Sequence, residues 1–391
     1  MLLPFAEGQA AWTQPLNVWA ERLDERILPR RWSGRLRRAL EAEATTASTR
    51  MEGVPVTIDD TLRILAGDKP EHVSDADQAL VRGYRDGMTY VQRRADDGRL
   101  VWNRELVVAV QDRVLAGNFA NGAGRLREGS AWVSSPTGAV VFEPPQHEEV
   151  ADLVDEMCET IEHAGWHPAV AAAWIHVALA AIHPFRDGNG RTARVFASLA
   201  MYRGGFRHPA FTSLEEWWGR HTQDYYGAFE CLGPRFDRNA DVTPFVEAHL
   251  EAQLLQVVEL ALRQRTEGLL WIALENVLDD HGLPTRLANA LYDSFFGRDV
   301  TSRYYRELIA ASPATARNDL QAATAARLLA AIGETRGRRY TPGPRLMSAI
   351  ATAIGGSVEP EERAIFSALV DRADAELEVF PAAQERLPGM S

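Results

Sequence analysis

The sequence predicts a mainly α-helical protein that carries one small β-hairpin. Apolar residues three and four positions apart dominate most of its 391 residues, which is the period of an amphipathic helix. One stretch, Arg125 to Pro145, departs from that period: valine, tryptophan and phenylalanine flank a Ser-Pro-Thr-Gly turn. A composition of 46% hydrophobic and 25% charged residues is that of a globular chain of about two to three domains.

Residues 17–50 read as two helices interrupted near Pro29, and Glu52-Gly53-Val54-Pro55 stops the second. A turn at Ala66-Gly67-Asp68-Lys69-Pro70 precedes a helix over 74–93. The hairpin of 125–145 follows, and helical pattern resumes over 146–201, 215–232 and 244–264. Further helical stretches fall at 267–281, 285–296 and 301–310, and another starts at Ser312-Pro313 and reaches Ala331. An arginine-rich turn, Gly333 to Tyr340, comes next, and the chain after Ile350 carries little pattern.

Composition excludes several classes. A net charge of −12 argues against indiscriminate coating of nucleic acid. Lys69 is the only lysine, so no Walker-type phosphate loop exists. C-x-x-C, H-E-x-x-H and G-x-S-x-G are absent, which removes the usual marks of structural zinc, zincin proteolysis and the serine hydrolase elbow. The longest apolar run, Ala169 to Ile182, is broken by His176 and is short of the ~20 residues that span a bilayer. The N-terminus lacks a basic segment before its apolar one, and the two cysteines, Cys158 and Cys231, suit a reducing compartment. The expectation is a soluble cytoplasmic protein with no membrane partner.

One string concentrates chemistry: His183-Pro-Phe-Arg-Asp187-Gly-Asn-Gly-Arg191-Thr-Ala-Arg194. Gly188-Asn189-Gly190 is a bend at the start of a helix-compatible run, where successive N–H groups form an anion nest. Arg191 and Arg194, three apart, share a helix face and can both bind phosphate oxygens. Asp187 can hold Mg2+ that bridges the same phosphates. His183 ends the preceding helix at Pro184, and an imidazole near its ordinary pKa can take a proton from an attacking hydroxyl. Transfer chemistry on a nucleotide follows from this set.

The string resembles the signature H-x-F-x-D/E-G-N-G-R-x-x-R of the Fic (Fic/Doc) family and matches every fixed position. The helix before it, the hairpin ending Val-Phe-Glu-Pro-Pro, Tyr225-Tyr226 and Asp241 to Phe245 extend the resemblance over residues 40–250. It implies a Fic-type helical core with a hairpin flap that aligns a target chain, and transfer of AMP from ATP to a Ser, Thr or Tyr hydroxyl of a protein. His183 is then the base and Asp187 the Mg2+ ligand. Gly188, Asn189 and Gly190 hold the α- and β-phosphates, Arg191 the β/γ region and Arg194 the γ-phosphate; Phe185 packs the loop. The phosphorylating branch carries lysine where this chain has Gly190, so the resemblance favours nucleotidyl transfer. It also admits a homodimer, AMP removal, or another donor.

Ser48-Thr-Arg-Met-Glu52-Gly53 resembles the family's inhibitory motif, [S/T]-x-x-x-E-[G/N]. Glu52 would pair with Arg194 in the space of the γ-phosphate, and Gly53 also reads as a helix cap. Ser312 to Tyr340 resembles a winged helix: Thr301–Arg345 holds eight arginines against three acids, an excess suited to phosphate contacts or to protein docking. The expected organisation is an N-terminal helical region over 1–104, a Fic core over 105–250, a winged-helix-like module over 251–350 and a tail over 351–391. The rival expectation is a DNA-binding regulator whose core only senses nucleotide.

Overall fold

The computed structural model describes residues 2–24, 30–134, 138–208, 214–334, 337–355 and 362–377. It divides into two units, Met1–Val258 and Glu259–Ser391. In the first, helices α1 (Ala10–Asp24) and α2 (Arg30–Met51) bracket the predicted break, and Pro29 itself lies outside the described residues. Helix α1 starts at Ala10, earlier than the sequence pattern places it. Helix α2 ends in a Schellman arrangement: the Gly53 N–H donates to Arg50 O and the Val54 N–H to Thr49 O, with Gly53 at φ +85°. That left-handed conformation is open to glycine at no steric cost. Thr57 and Asp60 cap α3 (Ile58–Leu65) reciprocally, and Val54, Val56, Ile64, Val73 and Val81 bury a small core beneath it.

Helix α4 (Asp75–Ala95) is capped by Ser74 and α5 (Arg104–Val114) by Asn103. The hairpin is short: β1 (Val133–Ser134) pairs antiparallel with β2 (Val140–Phe142), Val133 facing Phe142. The predicted turn residues Ser135, Pro136 and Thr137 lie outside the described residues. Helix α6 (His147–His163) leads to α7 (Pro168–Ile182), whose residues are buried almost all round, Trp174 fully so. Helix α8 (Asn189–Arg203) is equally enclosed and packs on α4, α5 and α7, forming the centre of the unit. Helices α9 (Leu214–Arg220) and α10 (Thr222–Ala228) follow, and α2 packs on α9 and α4.

Helix α11 (Thr243–Asp280) is a single helix where the sequence pattern suggests two. The segment between carries neither glycine nor proline, and Thr266 turns its hydroxyl back to Leu262 O instead of breaking the helix.

In the second unit, α12 (Ala288–Phe295), β3 (Val300–Thr301), α13 (Ser302–Leu308) and α14 (Pro313–Ala325) precede the antiparallel hairpin β4 (Leu329–Ile332) and β5 (Arg339–Pro342). The sheet order is β3-β5-β4. Residues 329–331, expected to continue the helix, are strand: Arg327 takes a left-handed conformation, φ 63°, that ends α14. Ser312 caps α14 with Pro313 in its first turn. Buried Asp319 accepts from Arg286 at 2.6 and 2.7 Å and from the Tyr305 hydroxyl at 3.0 Å, which ties α14 to its neighbours. Of the expected wing, Thr335 and Arg336 lie outside the described residues. Helix α15 (Leu346–Ala353) crosses the expected boundary at 350, and the tail holds α16 (Glu362–Leu377); residues 356–361 and 378–391 are not among those described. No helix among the described residues is long and apolar enough to cross a membrane.

Candidate active site

The chemistry-bearing string occupies the bend between the two most buried helices. His183 is the C-cap of α7, with its N–H on Leu179 O at 3.0 Å and a left-handed backbone at φ 49°, ψ 58°. A non-glycine residue held there costs on the order of 1 kcal/mol or more and persists only where its surroundings enforce it. Burial, with Arg127 adding to it, pulls the His183 pKa down to about 4. The imidazole is therefore neutral at pH 7, further from its ordinary value than the sequence alone suggests.

Phe185 is fully buried and anchors the bend. The Asn189 carboxamide accepts from the Phe185 N–H at 2.9 Å and donates to Phe185 O at 2.8 Å. It is turned inward to close the bend, so a phosphate contact from Asn189 falls to its main chain. Gly188, at φ +79°, is the N-cap of α8, whose first hydrogen bond runs from the Thr192 N–H to Gly188 O. The N–H groups of Asn189, Gly190 and Arg191 thus have no partner within the helix and form its positive end.

Arg191 is buried, and its Nη2 donates to Asp187 Oδ1 at 3.3 Å. Among the described residues its Nε and Nη1 are buried without hydrogen-bond partners. A planar cation with donors unspent at a helix N-terminus is a site that an oxyanion satisfies. Asp187 is 40% exposed, and its Oδ1 also accepts from the Gly188 N–H at 2.6 Å. Gln111 donates to Asp187 O at 3.1 Å and accepts from the Gly124 N–H at 2.7 Å, bracing the bend from α5.

Arg194 is held from α2. Its Nε donates to Ser48 Oγ at 2.9 Å, and its Nη2 to Ser48 O at 3.1 Å and to Glu52 Oε1 at 2.8 Å. The third side, Nη1, donates to the Tyr225 hydroxyl at 3.3 Å, which in turn lies 3.1 Å from His176 Nε2. Burial pushes the Tyr225 hydroxyl up to about 12 and His176 far down, so the phenol donates and the neutral imidazole accepts. Burial works against the charge of Arg194, yet Tyr225, Glu52 and Tyr84 raise its pKa overall.

Glu52 thus reaches the α8 N-terminus as well as Arg194: a Cβ on Gly190 would overlap its Oε1. A side chain at Gly190 would displace the carboxylate, the flexible end of Glu52. Tyr226 closes the end of α2 by donating to Met51 O at 3.3 Å. Ser48, Glu52, His183, Asp187, Gly188, Asn189, Gly190, Arg191 and Arg194 therefore meet around one bend, and Gly53 sets the helix end that presents Glu52.

Sequence reasoning misses Arg127 and Gln111. Arg127 sits in Arg-Leu-Arg-Glu-Gly, where nothing distinguishes it from the neighbouring Arg125, yet it is buried and donates from Nε to His183 O at 2.9 Å.

The model of the Fic/DOC family matches residues 101–201. The protein adenylyltransferase fic-1 of Caenorhabditis briggsae is 35% identical over 157 residues, 39% of this chain and 28% of that protein. The protein adenylyltransferase Fic of Nematostella vectensis is 31% identical over 143 residues, 36% of this chain and 30% of that protein. The chain thus spans less than a third of the length of these curated relatives. A crystal structure of a Fic family protein from Desulfovibrio desulfuricans G20 shares the fold, with a TM-score of 0.58 at 21% identity over 88% of this chain and 99% of that one. Residues 101–201 thus form a domain of the Fic/DOC family that contains the complete signature at 183–194, within a fold shared with a Fic family protein.

Proposed function

We propose that this protein is an adenylyltransferase that moves AMP from ATP to a Ser, Thr or Tyr hydroxyl of a target protein or of itself, and that Glu52 inhibits it. The observation that carries this reading is the juxtaposition of Arg191, buried with two donors unspent, and a neutral His183 across one bend. The α8 N-terminus and Arg191 bind the phosphates, with the Gly188–Gly190 main chain beneath them. Arg194 takes the terminal phosphate once Glu52 leaves it. His183 removes the acceptor proton as the acceptor oxygen bonds to the α-phosphorus. The bond from that phosphorus to the α–β bridging oxygen breaks, and pyrophosphate departs with the electron pair.

Among the described residues no group of three or more His, Cys, Asp or Glu is arranged to hold a metal. The single partly exposed carboxylate of Asp187 fits Mg2+, which keeps its waters and takes other ligands from phosphate. Bound there, Mg2+ supplies charge neutralisation to the phosphates. Cys158 and Cys231 are both free thiols, which fits a cytoplasmic setting.

Glu52 is inhibitory because it places a carboxylate where the phosphates belong, on Arg194 and at the α8 N-terminus. ATP labelled at the α-phosphate and, separately, at the γ-phosphate tests the reading in the Glu52→Gly variant with Mg2+. Protein-bound label from the α-position alone supports AMP transfer; label from the γ-position alone means phosphorylation, and none from either removes the enzymatic reading.

The winged-helix reading of the second unit is supported by its three-stranded antiparallel sheet and by exposed Arg317, Asn318 and Gln321 on α14, side chains of the kinds that read base edges. Duplex DNA binding that is selective and weakens with salt, without AMP transfer, would favour the regulator instead.

A further inference from the structure

We propose that Arg127 is a positioning residue that locks the base and the hairpin into one register, so that whatever the hairpin aligns is aligned on His183. The inference rests on the transfer reading above. Arg127 is 7% exposed, and among the described residues its guanidinium donates to three main-chain carbonyls. Nε donates to His183 O at 2.9 Å, Nη1 to Gly129 O at 2.8 Å and Nη2 to Pro145 O. Its own N–H donates to Pro184 O at 2.9 Å.

Gly129 and Pro145 are the two roots of the segment that carries β1 and β2. A single planar fork therefore fastens both roots of the hairpin to the carbonyl of the base. That carbonyl belongs to a residue in the left-handed region, the conformation on this bend that most needs enforcement. Arg127 reaches one side of the His183 peptide and Leu179 O holds the other through the N–H. Burial works against the charge of this guanidinium, and Glu148 offsets that only in part. A purely structural tie at this point could be made by a neutral donor. Burial is the main cause that disfavours protonation of the imidazole, and the positive charge of Arg127 acts in the same direction to a smaller extent.

The phosphate cradle, by contrast, is built from 188–194 and does not touch Arg127. Loss of the fork should therefore reduce turnover and spare nucleotide binding.

The test uses the full chain in the Glu52→Gly background, with auto-modification by Mg-ATP followed over a range of ATP concentrations. In Arg127→Gln, the rate at saturating ATP should fall about 10- to 100-fold, the scale of an ångström-level misplacement. The KM for ATP should stay within about twofold. Arg127→Lys, which keeps the charge but not the fork, should recover part of the rate. Histidine ring signals in NMR spectra give a readout independent of turnover. The His183 signal, identified by its loss in His183→Ala, should shift in Arg127→Gln while those of His176 and His249 stay. An unchanged saturating rate overturns the proposal, as does a fall in rate matched by an equal rise in KM. If Arg127→Gln does not fold, Arg127→Lys is judged by the same split. If the Glu52→Gly parent transfers nothing, the transfer reading fails on its own, and an unmoved His183 signal decides against Arg127 separately.

Discussion

If Glu52 inhibits transfer as proposed, its replacement by glycine should raise auto-modification, and the structure sets the scale. Glu52 Oε1 lies 2.8 Å from Arg194 Nη2, with the glutamate side chain 26% exposed and the arginine 3%. At an effective dielectric of about 20, two unit charges at that distance attract by about 6 kcal/mol. Desolvation and ordering consume most of it, and a hydrogen bond between charged groups nets about 1.5–3 kcal/mol. The position of the carboxylate at the α8 N-terminus adds about 0.3–1 kcal/mol. An exposed pair would contribute at most about 1 kcal/mol, too little to hold a competent state near 1%. Burial of Arg194 is thus what makes the contact strong enough. The expected gain in kcat/KM for auto-modification is roughly 20- to 700-fold, from these about 1.8–4 kcal/mol at about 1.4 kcal/mol per decade. Glu52→Gln, which keeps a hydrogen-bonding oxygen and loses the charge, should fall between. Two adjacent glycines at the end of α2 cost about 0.5–1 kcal/mol of stability, which a melting curve tracks. Equal kcat/KM for wild type and Glu52→Gly with Mg-ATP would refute the argument.

His183→Ala should abolish transfer, a loss of at least about 100-fold for a general base, while calorimetry still detects ATP binding in the Glu52→Gly background. Transfer should stay flat as pH falls from 8 to about 5, because burial holds His183 at about 4; half-loss near pH 6.5 would show an unperturbed imidazole. Stability should fall on acidification below the ordinary histidine pKa. His176, His183 and His249 all have depressed pKa values from burial, His249 down to about 3. Between about pH 6.5 and 4 the unfolded chain binds protons that the native state refuses, which costs at most about 4 kcal/mol per pH unit for three groups. Above pH 6.5 these groups contribute no slope; urea titrations at pH 7.5 and 5.5 measure the difference. Asp319→Ala leaves the half-exposed Arg286 and the buried Tyr305 hydroxyl without their shared acceptor and should destabilise the second unit by about 1–3 kcal/mol in denaturant unfolding.

What could be read in the chain was local. The bend at 188–190, the helix that starts beside it, the cap at Gly53 and the start of α14 at Ser312 each depend on a few consecutive residues. Caps, turns and periodicity act over one or two helical turns, so their signals survive in the sequence alone. The twelve-residue signature was legible for the same reason. The helix junction within α11 and the strand at 329–332 were not, because a polar stretch without a breaker, or an alanine-rich run, fits more than one conformation until packing decides.

The tertiary structure alone brings Arg127 to His183, 56 positions away, whereas the contact of Glu52 with Arg194, 142 positions apart, was expected only through the family resemblance. It turns the Asn189 carboxamide inward and sets the pKa of the imidazole, since desolvation depends on which helices enclose a group and not on its neighbours in sequence. The amino-acid order by itself determined which groups are present and how the bend is shaped. Which of them face one another, and in what charge state, followed from burial around α7 and α8, where removal from water makes each long-range contact strong.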